Sequence, residues 1–209
     1  MRCYIFMGDV TGSRKLSSAK VQASLETLTA RANERFASLL LSPLTVTLGD
    51  EFQGVADSAD TLVRLAFWFQ EQILADRLSI QMHYSMVEGE IDTPINHDIA
   101  HGMLGEGLSR AREMLVRKDR SRPRYQIDLE DAERTAVIRQ LFAIMEDLED
   151  RWNGKDFDYI LALLSHESDA EVAEMFGKDR SQVYKRRRTL LTDSYARARS
   201  VIRQVIALD

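Results

Sequence analysis

The chain opens on a short apolar run, Arg2 to Gly8, that stops at Gly8-Asp9 and so predicts a buried strand rather than a helix. From Ser17 to Leu41 the apolar positions Val21, Leu25, Leu28, Ala32, Phe36 and Leu39 recur at helical spacing, and Ser42-Pro43 is expected to end that helix. Leu44 to Val55 reads as two β-rich pieces meeting at Gly49-Asp50, which is hairpin chemistry. Ala59 to Ala75 returns to the helical period, with Leu62, Leu65, Ala66, Phe69 and Ile73 on one face and Phe67 and Trp68 as further core residues. Leu78 to Ile91 is extended. A loop with Pro94, Gly102 and Gly105 leads to a helix from Leu108 to Val116, and Arg124 to Leu129 closes as a strand. The order βαββαβ, with a further helix and strand, predicts an α+β fold of the ferredoxin-like class, an antiparallel sheet backed by helices.

Beyond Glu130 the pattern is helical throughout. Glu130 to Trp152 forms one helix, ended by Asn153-Gly154, and Phe157 to Ser165, Asp169 to Phe176 and Ser181 to Leu191, running on towards Ile206, form the rest. The expected organisation is a sheet domain over residues 1–128, a connecting helix over 129–152 and an all-α unit over 153–209. In that unit Ser168 is an N-cap with Glu171 as its capping-box partner, and Ala173, Gly177 and Val183 stand at the offsets of a helix-turn-helix. The small residue permits close helix approach, the glycine a left-handed turn, and the valine a core contact from the second helix; Val172 and Phe176 complete the seam. Such a motif places the start of its second helix in the major groove of double-stranded DNA. It would present Arg180, Ser181, Gln182, Tyr184 and Lys185 to the bases, with Lys185, Arg186, Arg187 and Arg188 on phosphates. The plainer alternative is a trihelical packing unit, used for assembly, whose basic run is a solvated face.

Composition narrows these options only a little. With 209 residues, 44% hydrophobic and 29% charged, the chain is an ordinary folded protein without low-complexity tracts. Its net charge of −5 excludes a polycation that coats nucleic acid, although from Arg151 onward 11 Lys/Arg face 9 Asp/Glu. The apolar runs are too short for a membrane span or a signal-peptide core, and the lone Cys3 cannot form an internal disulfide. Together these place the expected protein in the cytoplasm, away from membranes.

The chemistry-bearing residues cluster at two strand ends. Asp9 ends the first strand and Asp50 sits at the hairpin tip; if the strands are neighbours, the two acids face one cleft and suit Mg²⁺ shared with substrate phosphates. Thr11, Gly12 and Ser13 lead into a helix N-terminus, a natural phosphate cradle, with Arg14 and Lys15 beside it. The competing reading is that both aspartates merely form turns. His83, His97 and His101 lack the spacing of a metal set and read as solvent-exposed or structural.

The segments Asp9-Val10-Thr11-Gly12-Ser13, Gly49-Asp50-Glu51-Phe52, Gly89-Glu90-Ile91 and Gly105-Glu106-Gly107-Leu108 resemble the motifs of class III nucleotide cyclases. The hairpin Leu48 to Phe52 is also similar to the signature of diguanylate cyclases. Across nearly the whole chain, YIFMGDVTGSRKL, LTVTLGDEFQGV and the C-terminal motif together resemble the SatD family. The cyclase resemblance implies a nucleotide cyclase-like sheet domain, metal at Asp9 and Asp50, a nucleotide ligand and a homodimer. Where cyclases carry a transition-state Asn and Arg, this chain has Ser109 and Glu113, with Arg112 one step off, and Thr47 replaces the base-selecting residue. The expectation from sequence is therefore a ligand-responsive DNA-binding regulator with a degenerate cyclase-like sensor and no catalytic residues. The alternative is an active divergent nucleotidyl cyclase or other Mg²⁺-dependent phosphoryl-transfer enzyme whose helical unit mediates assembly.

Overall fold

The computed structural model describes residues 1–11, 18–47, 49–116 and 122–208. Five strands form one sheet: β1 (Arg2–Thr11), β2 (Leu40–Val46), β3 (Glu51–Ala56), β4 (Gln81–Glu90) and β5 (Tyr125–Asp128), in the order β2-β3-β1-β4-β5. Eight helices accompany them among the described residues: α1 (Ser18–Arg35), α2 (Ala59–Ala75), α3 (Glu106–Val116), α4 (Ala132–Glu149), α5 (Phe157–Ser165), α6 (Asp169–Phe176), α7 (Arg180–Leu190) and α8 (Thr192–Ile206). The expected α+β architecture is present, with three corrections.

The sheet is not wholly antiparallel. β4 and β5 run parallel, because the chain leaves β4, forms α3 and returns, the helical crossover that parallel neighbours need. The first helix stops at Arg35, and Ser42-Pro43 lies inside a strand instead of ending a helix. Proline is tolerated there because β2 is an edge strand, and its pairing with β3 is irregular on either side of Ser42. The last long helix is broken at Leu191, whose φ of 56° is left-handed, so α7 and α8 are separate. No glycine marks that break.

The two sheet faces are covered differently. Phe6, Val10, Phe52, Tyr84 and Met86 pack under α1, α2 and α4. Cys3, Ile5, Met7, Val55 and Val87 pack under α3. The first core continues into the C-terminal helices, where the Phe67 and Phe142 rings stand 5.9 Å apart and Trp152 meets Tyr195 at 4.8 Å. At the centre of this junction the buried Glu149 carboxylate accepts from the hydroxyls of Tyr125 and Tyr195 and from Arg124.

Helices α6 and α7 are joined at Gly177, whose φ of 59° a side chain would strain, and the Lys178 N–H caps the Ala173 carbonyl at 2.9 Å. Ala173 and Val183 are buried between them. Two of the four consecutive cations assigned to phosphates are spent inside the protein. Arg187 is buried, bonded to Asp169 at 2.7 Å and to the carbonyls of Leu163 and His166 at 2.9 and 3.0 Å, and Arg186 is ion-paired with Asp156. Arg180, Ser181, Gln182, Tyr184, Lys185 and Arg188 are exposed. Among the described residues no helix is long and apolar enough to cross a membrane.

Candidate functional site

Central strand β1 brings three polar side chains to one row of the sheet. Asp9 lies opposite Glu51 of β3 on one side and His83 of β4 on the other. The next rows on the same face, Met7 with Gln53 and Ser85, then Ile5 with Val55 and Val87, lead under α3. The β2–β3 hairpin folds over the end of β1, where the Val10 N–H donates to the Asp50 carbonyl at 2.9 Å. Sequence reasoning expected Asp9 and Asp50 to meet at one cleft, and the backbone places them side by side.

The electrostatics of the row follow from that crowding. Burial pushes the Asp9 carboxyl up to about 6, reinforced by the negative charges of Asp50 and Glu51 and opposed by Arg122. Arg122 reaches Asp9 at 3.5 Å, and its Nε–H donates to His83 Nδ1 at 2.8 Å. Burial together with the cationic Arg122 and Arg124 lowers His83 to about 4, so its imidazole is neutral and accepts from the guanidinium. From the other side Arg112 of α3 reaches Glu51 at 3.1 Å.

Helix α3 gets that close to the sheet because two glycines touch. A Cβ on Gly107 would fall 2.9 Å from the Gly89 backbone and 2.8 Å from Ile5. This contact holds Ser109 and Arg112 beside a cleft of about 390 Å³, whose walls include Met7, Thr47, Met103 and Leu108. The volume falls in the range of small-molecule sites.

Thr11 lies two residues beyond Asp9 on the same strand, and its hydroxyl donates to the Gln81 carbonyl at 3.1 Å. Gly12, Ser13, Arg14 and Lys15, expected to cradle phosphate, lie outside the described residues. Four contributors escaped the sequence reading. Glu51 is the immediate neighbour of Asp50, Arg122 sits in the basic stretch before β5, and His83 and Arg112 had been set aside for lack of spacing. Cross-strand register brings Glu51 and His83 to Asp9, and the ion pairs and hydrogen bonds of Arg112 and Arg122 bring those two side chains to the same row.

The donor set fits a hard divalent cation. Among the described residues no group of three or more His, Cys, Asp or Glu side chains could hold a metal alone. Mg²⁺ does not need one, since it commonly takes one or two carboxylates and completes its shell with phosphate oxygens and water. Asp9 and Asp50 supply that number.

A search of curated proteins finds no match. Among solved structures the chain is similar to the catalytic core of a rhodopsin-guanylyl cyclase with converted specificity, in complex with ATPαS. That match has 19% identity and a TM-score of 0.40, and covers 55% of this chain and 70% of the other. It is also similar to a bacterial light-regulated adenylyl cyclase, with 11% identity and a TM-score of 0.47 over 61% of this chain and 43% of the other. A second structure of a bacterial light-regulated adenylyl cyclase matches with 12% identity and a TM-score of 0.42 over 55% of this chain and 39% of the other. The chain therefore spans less than half the length of those light-regulated cyclases. The expectation of a DNA-binding regulator is corrected here: Arg186 and Arg187, two of the four consecutive cations assigned to DNA phosphates, are committed to intramolecular ion pairs. A family model, that of the SatD family, matches residues 4–206. The chain belongs to the SatD family.

Proposed function

We propose that this protein binds a divalent cation together with a nucleotide at Asp9 and Asp50 and carries out phosphoryl transfer there, as a divergent nucleotidyl cyclase or a related Mg²⁺-dependent enzyme. The observation that carries this reading is the convergence of Asp9, Asp50 and Glu51 with Arg112 and Arg122 at one end of the sheet, next to a cleft that Arg112 lines. In that reading Asp9 and Asp50 hold the cation. A bound Mg²⁺ would neutralise charge on phosphate oxygens as they are transferred. Arg122 and Arg112, which pair with Asp9 and Glu51, stand beside the carboxylates and could supply positive charge to phosphate oxygens bound there. Thr11, Gly12 and Ser13, with Arg14 and Lys15, are assigned to phosphate from sequence. The nucleotide ring rests in the cleft against Met7, Met103 and Leu108.

Helices α4 to α8 act as a buttress and assembly unit, a role supported by their shared core with the sheet domain. Assembly as a homodimer belongs to the same proposal, since Ile99 and Leu104 expose apolar side chains on the loop preceding α3. The test is turnover of nucleoside triphosphates with Mg²⁺. Asp9→Asn and Asp50→Asn should each lower the rate by at least roughly a hundredfold, and Arg122→Ala by on the order of the same factor. Turnover that survives both aspartate substitutions overturns the assignment. So does the failure of any Mg²⁺–triphosphate mixture to bind or react.

A further inference from the structure

A second cleft, of about 470 Å³, lies between the start of α5 and the α6–α7 turn; its lining includes Lys155, Asp156, Tyr159, Phe176, Lys178 and Arg186. None of these residues belongs to the carboxylate site. The rings of Tyr159 and Phe176 meet at 4.6 Å with a 59° tilt, an apolar wall against which a planar ring can lie. Lys155 and Lys178 are exposed at the rim, and Asp158, the other carboxylate in the lining, is already held by Arg77. Positive charge thus dominates the opening.

Asp156 is the exception inside. Its side chain is only 9% exposed; Oδ1 accepts from Arg186, while Oδ2 is buried with no partner among the described residues. A buried carboxylate oxygen without a donor is costly, and each such atom in a folded protein asks for an explanation. Oδ2 itself lies below the surface, but the carboxylate lines the cleft, and a ligand amine there meets its negative charge. The cleft therefore asks for three things at once: a planar ring, a hydrogen-bond donor on that ring, and an anion carrying enough charge for two lysines.

We propose that this cleft is a second ligand site that binds a nucleoside monophosphate. The base lies against Tyr159 and Phe176 with its exocyclic amine towards Asp156, and the phosphate sits between Lys155 and Lys178. The proposal is independent of the chemistry assigned to Asp9 and Asp50. It also gives a role to Arg186, which orients Asp156 instead of meeting a nucleic-acid backbone.

Calorimetric titration of adenosine monophosphate into the full chain tests it, using the Asp9→Asn/Asp50→Asn protein with a chelator present so that the other site is silent. The expected result is saturable one-to-one binding. The Lys155→Ala/Lys178→Ala pair should weaken it at least roughly tenfold while the melting temperature stays unchanged, because both lysines are exposed. Tyr159→Ala should cost on the order of tenfold or more through lost stacking. Adenosine alone and inorganic phosphate alone should each bind at least tenfold more weakly than the nucleotide. No binding at millimolar nucleotide overturns the proposal, as does binding that ignores the lysine pair. Phosphate binding as tightly as the nucleotide overturns it too, since the ring would then contribute nothing.

Discussion

At the scale of single residues, the site is a set of charges that fold and register force together. His83 shows it most plainly. Its ring is partly buried between β1 and the Arg122 guanidinium, and both burial and cationic neighbours favour the neutral imidazole, lowering it to about 4. The unfolded chain, with His83 near 6.5, binds more protons than the folded one between those two values. This residue's contribution to stability is therefore lost as pH falls through that window. Following the His83 ring protons by NMR should give a midpoint near 4, and Arg122→Ala should move it up towards 6.5. A midpoint near 6.5 in the unsubstituted protein contradicts the Arg122–His83 contact. The arginines of α7 teach the same lesson in reverse. Lys185 to Arg188 is one basic run in sequence, yet Arg187 ends buried on Asp169 and two carbonyls while Arg188 stays in solvent. Sequence carries the charges but not their partners.

At the scale of elements, much of the fold is legible and the exceptions have physical causes. The apolar run of β1, the hairpin at Gly49-Asp50 and the helical periods of α2, α4 and α5 all follow from the apolar pattern and the turn residues. The Ala173, Gly177 and Val183 offsets correctly mark a tight turn between two packed helices, but not what those helices do. Only the start of edge strand β2 was hidden, because Leu39 to Leu41 happens to continue the helical period of α1. The break at Leu191 was hidden because a leucine occupies a conformation usually left to glycine. At the site, Asp9 and Asp50 were legible from their turns, whereas Arg112 became relevant only once the approach of α3 to β4 was visible. That approach is testable. In Gly107→Ala the new methyl would meet Ile5 and the Gly89 backbone below 3.0 Å, so α3 must shift. The variant should lose about 1–3 kcal/mol in urea unfolding, and because α3 carries Arg112, it should also weaken nucleotide binding at the cleft. Unchanged stability and binding would show that α3 does not depend on this contact.

At the scale of the whole molecule, the sheet and the C-terminal helices share one core, and Glu149 ties them together. Its carboxyl is pushed up by burial, against the pull of Arg124, yet it is the common acceptor for Arg124, Tyr125 and Tyr195, which come from the approach to β5, from β5 itself and from α8. Arg124 stands two residues from Arg122, so the same short stretch that contacts Asp9 is anchored on the helical side. Removing the carboxylate in Glu149→Ala leaves two buried hydroxyls without their acceptor and the buried Arg124 guanidinium with only the Asp150 carboxylate. A loss of about 3–5 kcal/mol is expected, read as a lower urea midpoint in a single transition for both parts of the chain. Two separate transitions in the unsubstituted protein would argue against one shared core. The central claim concerns the other end of that connection, at Asp9 and Asp50. It is tested most directly by a crystal structure with Mn²⁺ and a non-hydrolysable triphosphate, reading the anomalous signal of the metal. The expected result is a peak at the Asp9 and Asp50 carboxylates, with Arg122 and Arg112 turned towards the phosphates. Nucleotide bound elsewhere, with no peak and with both arginines still on Asp9 and Glu51, would contradict it.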